Sequence, residues 1–141
     1  MNEVSFSIEA KAVPWQRAGL HRGRVFTKPE TRAWQQVVAH HARRAMGGGM
    51  PFNGPVALSV QFYQTVPPSW PKAKRAKAIA CEHWPTSRPD LSNLVKSIED
   101  ACNAILYFDD AQIVSLQVLK LYAERPAVIV RCWPVTGKES K

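Results

Sequence analysis

The sequence predicts an α+β fold, a single domain in which a mixed β-sheet is covered by two main helices. Three observations predict it. Four segments alternate apolar and polar residues with the period of a strand. Two longer segments repeat apolar residues every three or four positions, the period of a helix. Strands and helices follow one another without the regular alternation of a doubly wound parallel sheet. A length of 141 residues suits one domain.

Residues 3–10 alternate, with Val4, Phe6 and Ile8 on one face of a strand. Residues 11–31 read as a loop, punctuated by Pro14, Gly19, Gly23 and Pro29. Over 31–46, Trp34, Val37, Val38, Ala42 and Ala45 recur at helical spacing, and the glycines at 47–49 end the helix. Residues 56–66 form a strand, with Val56, Leu58, Val60 and Phe62 on one face; Pro67 and Pro68 stop it. Residues 69–78 read as a short basic helix, capped by Ser69 with Pro71 in its first turn. After a proline-containing loop at 81–90, Leu91, Leu94, Ile98, Ala101 and Ile105 fall within about 80° of a helical wheel, so 91–106 reads as a helix with a buried stripe. Two strands follow, at 113–121 with Val114, Leu116 and Val118 in step, and at 127–133 with Val128, Val130 and Cys132 in step. Residues 1–135 make up the domain and 136–141 a loose polar tail.

Lysine and arginine total 19 against 11 aspartates and glutamates, a net charge of +8, so a polyanion is the first partner to consider. Cys81, Cys102 and Cys132 form no CxxC pair, which argues against structural zinc. The start of the chain has neither the basic nor the apolar region of a signal peptide, and the longest uncharged stretch is broken by glycines and prolines. A soluble, reduced, cytoplasmic protein is expected. His40 and His41 are adjacent and lack metal-ligand spacing, and no P-loop is present.

Acids are the minority charge, so their placement is informative. Asp90 precedes the amphipathic helix, Asp100 lies on it, and Asp109 and Asp110 follow it. Asn93, Lys96 and Asp100 fall within about 60° of one another, opposite the apolar stripe, with Ser92 and Asn103 flanking. A returning chain could bring Asp109 or Asp110 alongside. Mg²⁺ takes a few carboxylates and keeps its waters, and a lysine can hold a phosphate beside it. Each piece also has an ordinary use: Asp90 as an N-cap, Asp109–Asp110 as turn residues, Lys96–Asp100 as a surface pair.

The run Arg88-Pro89-Asp90-Leu91-Ser92-Asn93-Leu94-Val95-Lys96-Ser97-Ile98-Glu99-Asp100-Ala101, followed by Asp109-Asp110-Ala111-Gln112-Ile113-Val114, resembles the RusA family: small, dimeric, Mg²⁺-dependent endonucleases of phages and prophages that resolve Holliday junctions. The tight match covers residues 84–122, and a looser one reaches through the basic loop to the strand at 56–63. The resemblance implies a RusA-like fold, metal-binding acids at Asp90 and Asp110, and a catalytic lysine at Lys96. Asp100 or Asp109 could supply a further carboxylate, because Ser92 stands where the family pattern often has an acid. The same departure leaves a non-catalytic or weakly catalytic junction-DNA-binding protein as the alternative. The resemblance also implies branched DNA as substrate in recombination and repair, a homodimer, and Mg²⁺ with Mn²⁺ as a substitute. Lys11, Arg17, Arg22, Arg24, Lys28 and Asn93 are the candidate DNA-binding residues. Trp15, His21 and Phe26 lie among the loop cations, placed either to meet bases or to tuck into the core.

Overall fold

The computed structural model describes residues 2–17, 19–26 and 28–137. The expected tail lies outside them from residue 138 on. In chain order the elements are β1 (Val4–Ile8), β2 (Gly19–His21), β3 (Arg24–Phe26), α1 (Pro29–Met46), β4 (Val56–Thr65), α2 (Lys72–Ile79), α3 (Leu91–Ala101), a 3-10 turn (Asp110–Gln112), β5 (Ile113–Ala123) and β6 (Ala127–Pro134).

A four-stranded sheet runs β1-β6-β4-β5. β4 pairs with β5 in parallel and with β6 antiparallel, and β6 pairs antiparallel with β1, so the sheet is mixed. The parallel pair follows from the long connection through α2 and α3, since parallel strands cannot be joined by a tight turn. Register sets the core: Leu58, Val60 and Phe62 of β4 stand opposite Cys132, Val130 and Val128 of β6, which stand opposite Val4, Phe6 and Ile8 of β1. This one face is covered by Trp34, Val38 and Ala42 of α1 and by Leu94, Val95 and Ile98 of α3. The fold is the α+β sheet under two main helices that the periodicities predict.

Four local features depart from the expectation. The loop at 11–31 contains the hairpin β2–β3, which turns through Arg22 and Gly23 at φ of 51° and 77°. Positive φ at both turn residues matches the twist of the strands they join. Its three-residue strands are too short to show a period. The next departure is that α1 starts at Pro29, whose fixed φ and missing N–H suit the first helical position. α1 ends on Gly47, left-handed at φ 59°, whose N–H reaches the carbonyls of Arg43 and Arg44.

In α2 the cap position is held by Pro71 rather than Ser69, because the Trp70 N–H closes a turn onto the Pro67 carbonyl at 3.1 Å. Last, α3 stops at Ala101, four residues before the apolar stripe does. The Ala104 N–H bonds the Tyr107 carbonyl at 2.7 Å, and the Tyr107 hydroxyl donates to the Glu99 carbonyl at 2.9 Å. Leu106 and Tyr107 are fully buried from this turn, so tertiary packing takes over a pattern that looks helical in the sequence.

β5 is an edge strand. Its Val114, Leu116 and Leu119 are 61%, 44% and 44% exposed. No helix in the described residues is long and apolar enough to cross a membrane.

Candidate active site

α3 carries most of the polar chemistry. Its buried side holds Leu94, Val95 and Ile98 against the sheet, which leaves Ser92 and Lys96 exposed and Asn93, Glu99 and Asp100 half-buried on the opposite side. Asp90 occupies the N-cap position, is exposed, and makes no side-chain cap hydrogen bond. The ordinary use of an aspartate at that position is therefore not its use here.

The Asp109–Asp110 pair divides its work. Asp109 Oδ1 accepts the Ala111 N–H at 3.1 Å, the cap of the 3-10 turn. Gln112 Oε1 accepts the N–H groups of Phe108 and Asp109 at 2.8 and 3.0 Å, while its Nε2 donates to the carbonyls of Phe52 and Gly54 at 2.9 and 2.8 Å. Asp109 and Gln112 thus close the turn and tie it to the segment before β4. Asp110 points the other way: the Asn103 side-chain amide donates to its Oδ2 at 3.3 Å. The chain returning from α3 brings Asp110 alongside Asp100 and Asn103, at the C-terminal end of the helix.

Electrostatics record that grouping. The Glu99 carboxyl is held above the ordinary range by burial first, then by repulsion from Asp110 and Asp100, with Lys96 opposing. Burial likewise raises Asp100, with Lys96 lowering it and Asp110 raising it. Glu99 is the member that sequence reasoning missed. Its only signal was its place beside Asp100.

Lys96 has a platform that the sequence did not disclose. The Trp15 N–H donates to the Asn93 carbonyl at 2.8 Å, pinning the loop to α3, and the Lys96 ammonium sits 4.6 Å from the Trp15 ring centroid. Trp15, weighed as a base-contacting residue, instead lies half-buried beneath the lysine. Lys11, Arg17, Arg22, Arg24 and Lys28 are all exposed. The side chains of His21 and Phe26 lie outside the described part of the structure.

Asp90 stands apart from Asp110. Ten residues of α3 separate Asp90 from Asp100, about 15 Å of axial rise, and Asp110 is on the far side. Two oxygens on one Mg²⁺ lie no more than about 4 Å apart. Within one chain Asp90 thus stands at the N-terminal end of α3 and Asp110 beside Asn103 at the C-terminal end.

Comparison with known proteins adds an independent finding. The sequence model described as Endodeoxyribonuclease RusA matches residues 9–132. The chain belongs to the RusA family. Among curated relatives, it is 42% identical over 79 residues to the uncharacterized protein YqaN of Bacillus subtilis (strain 168), covering 55% of this chain and 56% of that one. It is 38% identical over 74 residues to the crossover junction endodeoxyribonuclease rusA of Lactococcus phage r1t, covering 52% and 50%. The match thus spans about half the length of each relative.

The RusA family implies a divalent cation, and residues at the C-terminal end of α3 fit one. Asn103 Oδ1 is buried without a hydrogen-bond partner, beside carboxylates that repel one another. An unsatisfied hard oxygen next to crowded negative charge is the condition that a cation relieves. Among the described residues, no three His, Cys, Asp or Glu side chains form a finished cage. The thiols of Cys102 and Cys132 are raised by burial, to about 12 for Cys132, so neither is a nucleophile at neutral pH.

Proposed function

We propose that this protein is a Mg²⁺-dependent endonuclease that cleaves branched DNA, resolving four-way junctions as a homodimer in recombination and repair. The observation that carries this reading is the polar side of α3. It presents Lys96 over Trp15 and an Asp90 carboxylate unused by its own helix, with Asp100, Asp110 and Asn103 grouped at the far end.

The edge strand supplies a way to join the two ends. β5 starts just after Asp110, and near its other end Lys120 Nζ donates to the carbonyls of Ser87 and Pro89 at 2.8 and 3.0 Å, beside Asp90. Two copies of β5 paired antiparallel about a two-fold axis would set the Asp110 end of one chain against the partner's Asp90. Exposed Val114, Leu116 and Leu119 give that pairing apolar surface to bury. The metal site would then be shared, with Asp110, Asp100 and Asn103 from one chain and Asp90 from the other.

A bound Mg²⁺ supplies water activation and charge neutralisation at the scissile phosphate. The chain's own residues do the rest. Lys96, fixed over Trp15, places a positive charge against a phosphoryl oxygen and stabilises the charge that develops there. Gln112 and Asp109 hold the turn that aims Asp110. The exposed cations of the 11–28 segment, with Asn93 beside Lys96, hold the DNA backbone.

The deciding experiment is cleavage of a mobile four-way junction with Mg²⁺ or Mn²⁺, alongside thermal melting with and without the ion. Asp90→Asn is expected to bind the junction and leave it uncut. An Asp90→Asn protein that cuts like wild type would overturn the site. Wild-type binding without any cleavage would favour the non-catalytic reading that Ser92 raises.

A further inference from the structure

A cavity of about 270 Å³ opens beside Asp90, at the ends of the parallel pair β4 and β5. Phe62 and Leu94 are the buried apolar floor. The Tyr122 ring forms an aromatic wall, and the amide of Gln64, its register partner on the same face, adds a group that can both donate and accept. Lys11 and Arg88 stand at the exposed mouth. Among the described residues neither cation has a carboxylate within 4.0 Å; the ion pair formed there joins Arg131 to Glu3.

The lining is held in place. Tyr122 meets Trp70 edge-on at 5.3 Å between ring centroids. The loop that carries Ser87, Arg88 and Pro89 is clamped to β5 by Lys120. Arg75 donates to the carbonyl of Pro67, another lining residue, at 3.2 Å.

An apolar floor, an aromatic wall and unpaired cations at the mouth match one ligand chemistry, a flat heteroaromatic ring that carries a phosphate. We propose that this cavity takes a single unstacked nucleotide of the DNA. Its base stacks on Tyr122, its edge meets Gln64, and its phosphate rests on Lys11 and Arg88. Asp90 follows Pro89 directly, so the captured nucleotide lies next to the phosphate to be cut. The inference rests on the proposed function, which supplies the DNA. A four-way junction has its weakest stacking at the branch, where a base leaves the helix at least cost. Capture there would select branched over linear DNA.

The test is photocrosslinking of 5-iododeoxyuridine, placed at each branch-point position of a four-way junction, with the crosslinked residue mapped by mass spectrometry. Binding is read in the same samples by gel shift, without metal. The expected result is a crosslink to Tyr122 from the branch and none from the same base in linear duplex. It should disappear in Tyr122→Leu and weaken at least several-fold in Lys11→Ala/Arg88→Ala. That double variant should also flatten the logarithmic salt dependence of junction binding by about 1–2 units. Junction bound with crosslinks only to Trp15 or Phe108, or with none, overturns the cavity assignment and leaves the proposed activity standing. Failure to bind junctions overturns the proposed function. In that case a single-stranded oligonucleotide with the same base decides the cavity alone: a Tyr122 crosslink supports it and its absence overturns it. Crosslinking by free iododeoxyuridine monophosphate that equals the strand-borne signal would assign the cavity to mononucleotides instead of DNA.

Discussion

Asp90→Asn and Asp110→Asn, each inactive alone, are expected to restore cleavage when mixed. The reasoning is geometric. α3 sets Asp90 about 15 Å from Asp100, and Asp110 lies with Asp100 and Asn103. Oxygens on one Mg²⁺ are at most about 4 Å apart, so a site that uses both acids draws them from two chains. In a mixed dimer, one composite site then carries both substitutions and the other carries neither. Random exchange of subunits makes about half the dimers mixed, which leaves about a quarter of the wild-type number of working sites. Each mixed dimer should cut one strand only. A supercoiled plasmid with an extruded cruciform reads this directly, since a single nick gives open circles and paired cuts give linear product. Open circles at roughly a quarter of the wild-type initial rate are expected, with little linear DNA. Native mass spectrometry checks that subunits have exchanged. An exchanged mixture as inactive as each variant alone would refute the shared site.

Other substitutions probe the parts. Lys96→Ala removes an exposed charge and a cation–π contact worth about 0.5–1 kcal/mol, so urea melting should barely move while the cleavage rate falls at least 100-fold. Gln112→Ala removes the four hydrogen bonds that hold the Asp109–Asp110 turn. Mg²⁺ affinity, read by the ion's effect on melting temperature, is expected to drop about 10-fold or more. Glu99 and Asp100 are raised above 4.5 and 3.8. Their native forms therefore hold protons more tightly than the unfolded chain, and their destabilisation is present at neutral pH and relieved as pH falls through the raised values toward the ordinary ones. Asp100→Asn should raise the metal-free melting temperature at pH 7 and flatten its rise on mild acidification; an unchanged profile would refute the crowding. Ile98→Ala, at a fully buried position of α3, should cost about 2–5 kcal/mol by urea denaturation.

Much of this protein is written locally. Period-two alternation determined β1, β4, β5 and β6, and helical spacing determined α1 and α3, because a buried face repeats with the geometry of its own backbone. The same wheel put Asn93, Lys96 and Asp100 on one side of α3. The acidic minority in a basic chain marked the polar cluster before any fold was known.

The rest depended on what packs against what. The end of α3 was hidden because Ile105 continues the stripe, while the Tyr107 hydroxyl, bonded to the Glu99 carbonyl, bends the chain away. Only the family resemblance separated Asp109 from Asp110 in the sequence, because the capping role of Asp109 depends on Gln112, anchored across to Phe52 and Gly54. Trp15 could not be matched to Lys96 across 81 residues of chain. The sequence by itself determined which chemistry is present: carboxylates, a lysine and cations for a phosphate backbone. Only the tertiary structure decided how they are grouped, because the rigid rise of α3 sets Asp90 at one end of the helix while the returning chain lays Asp110 beside Asn103 at the other.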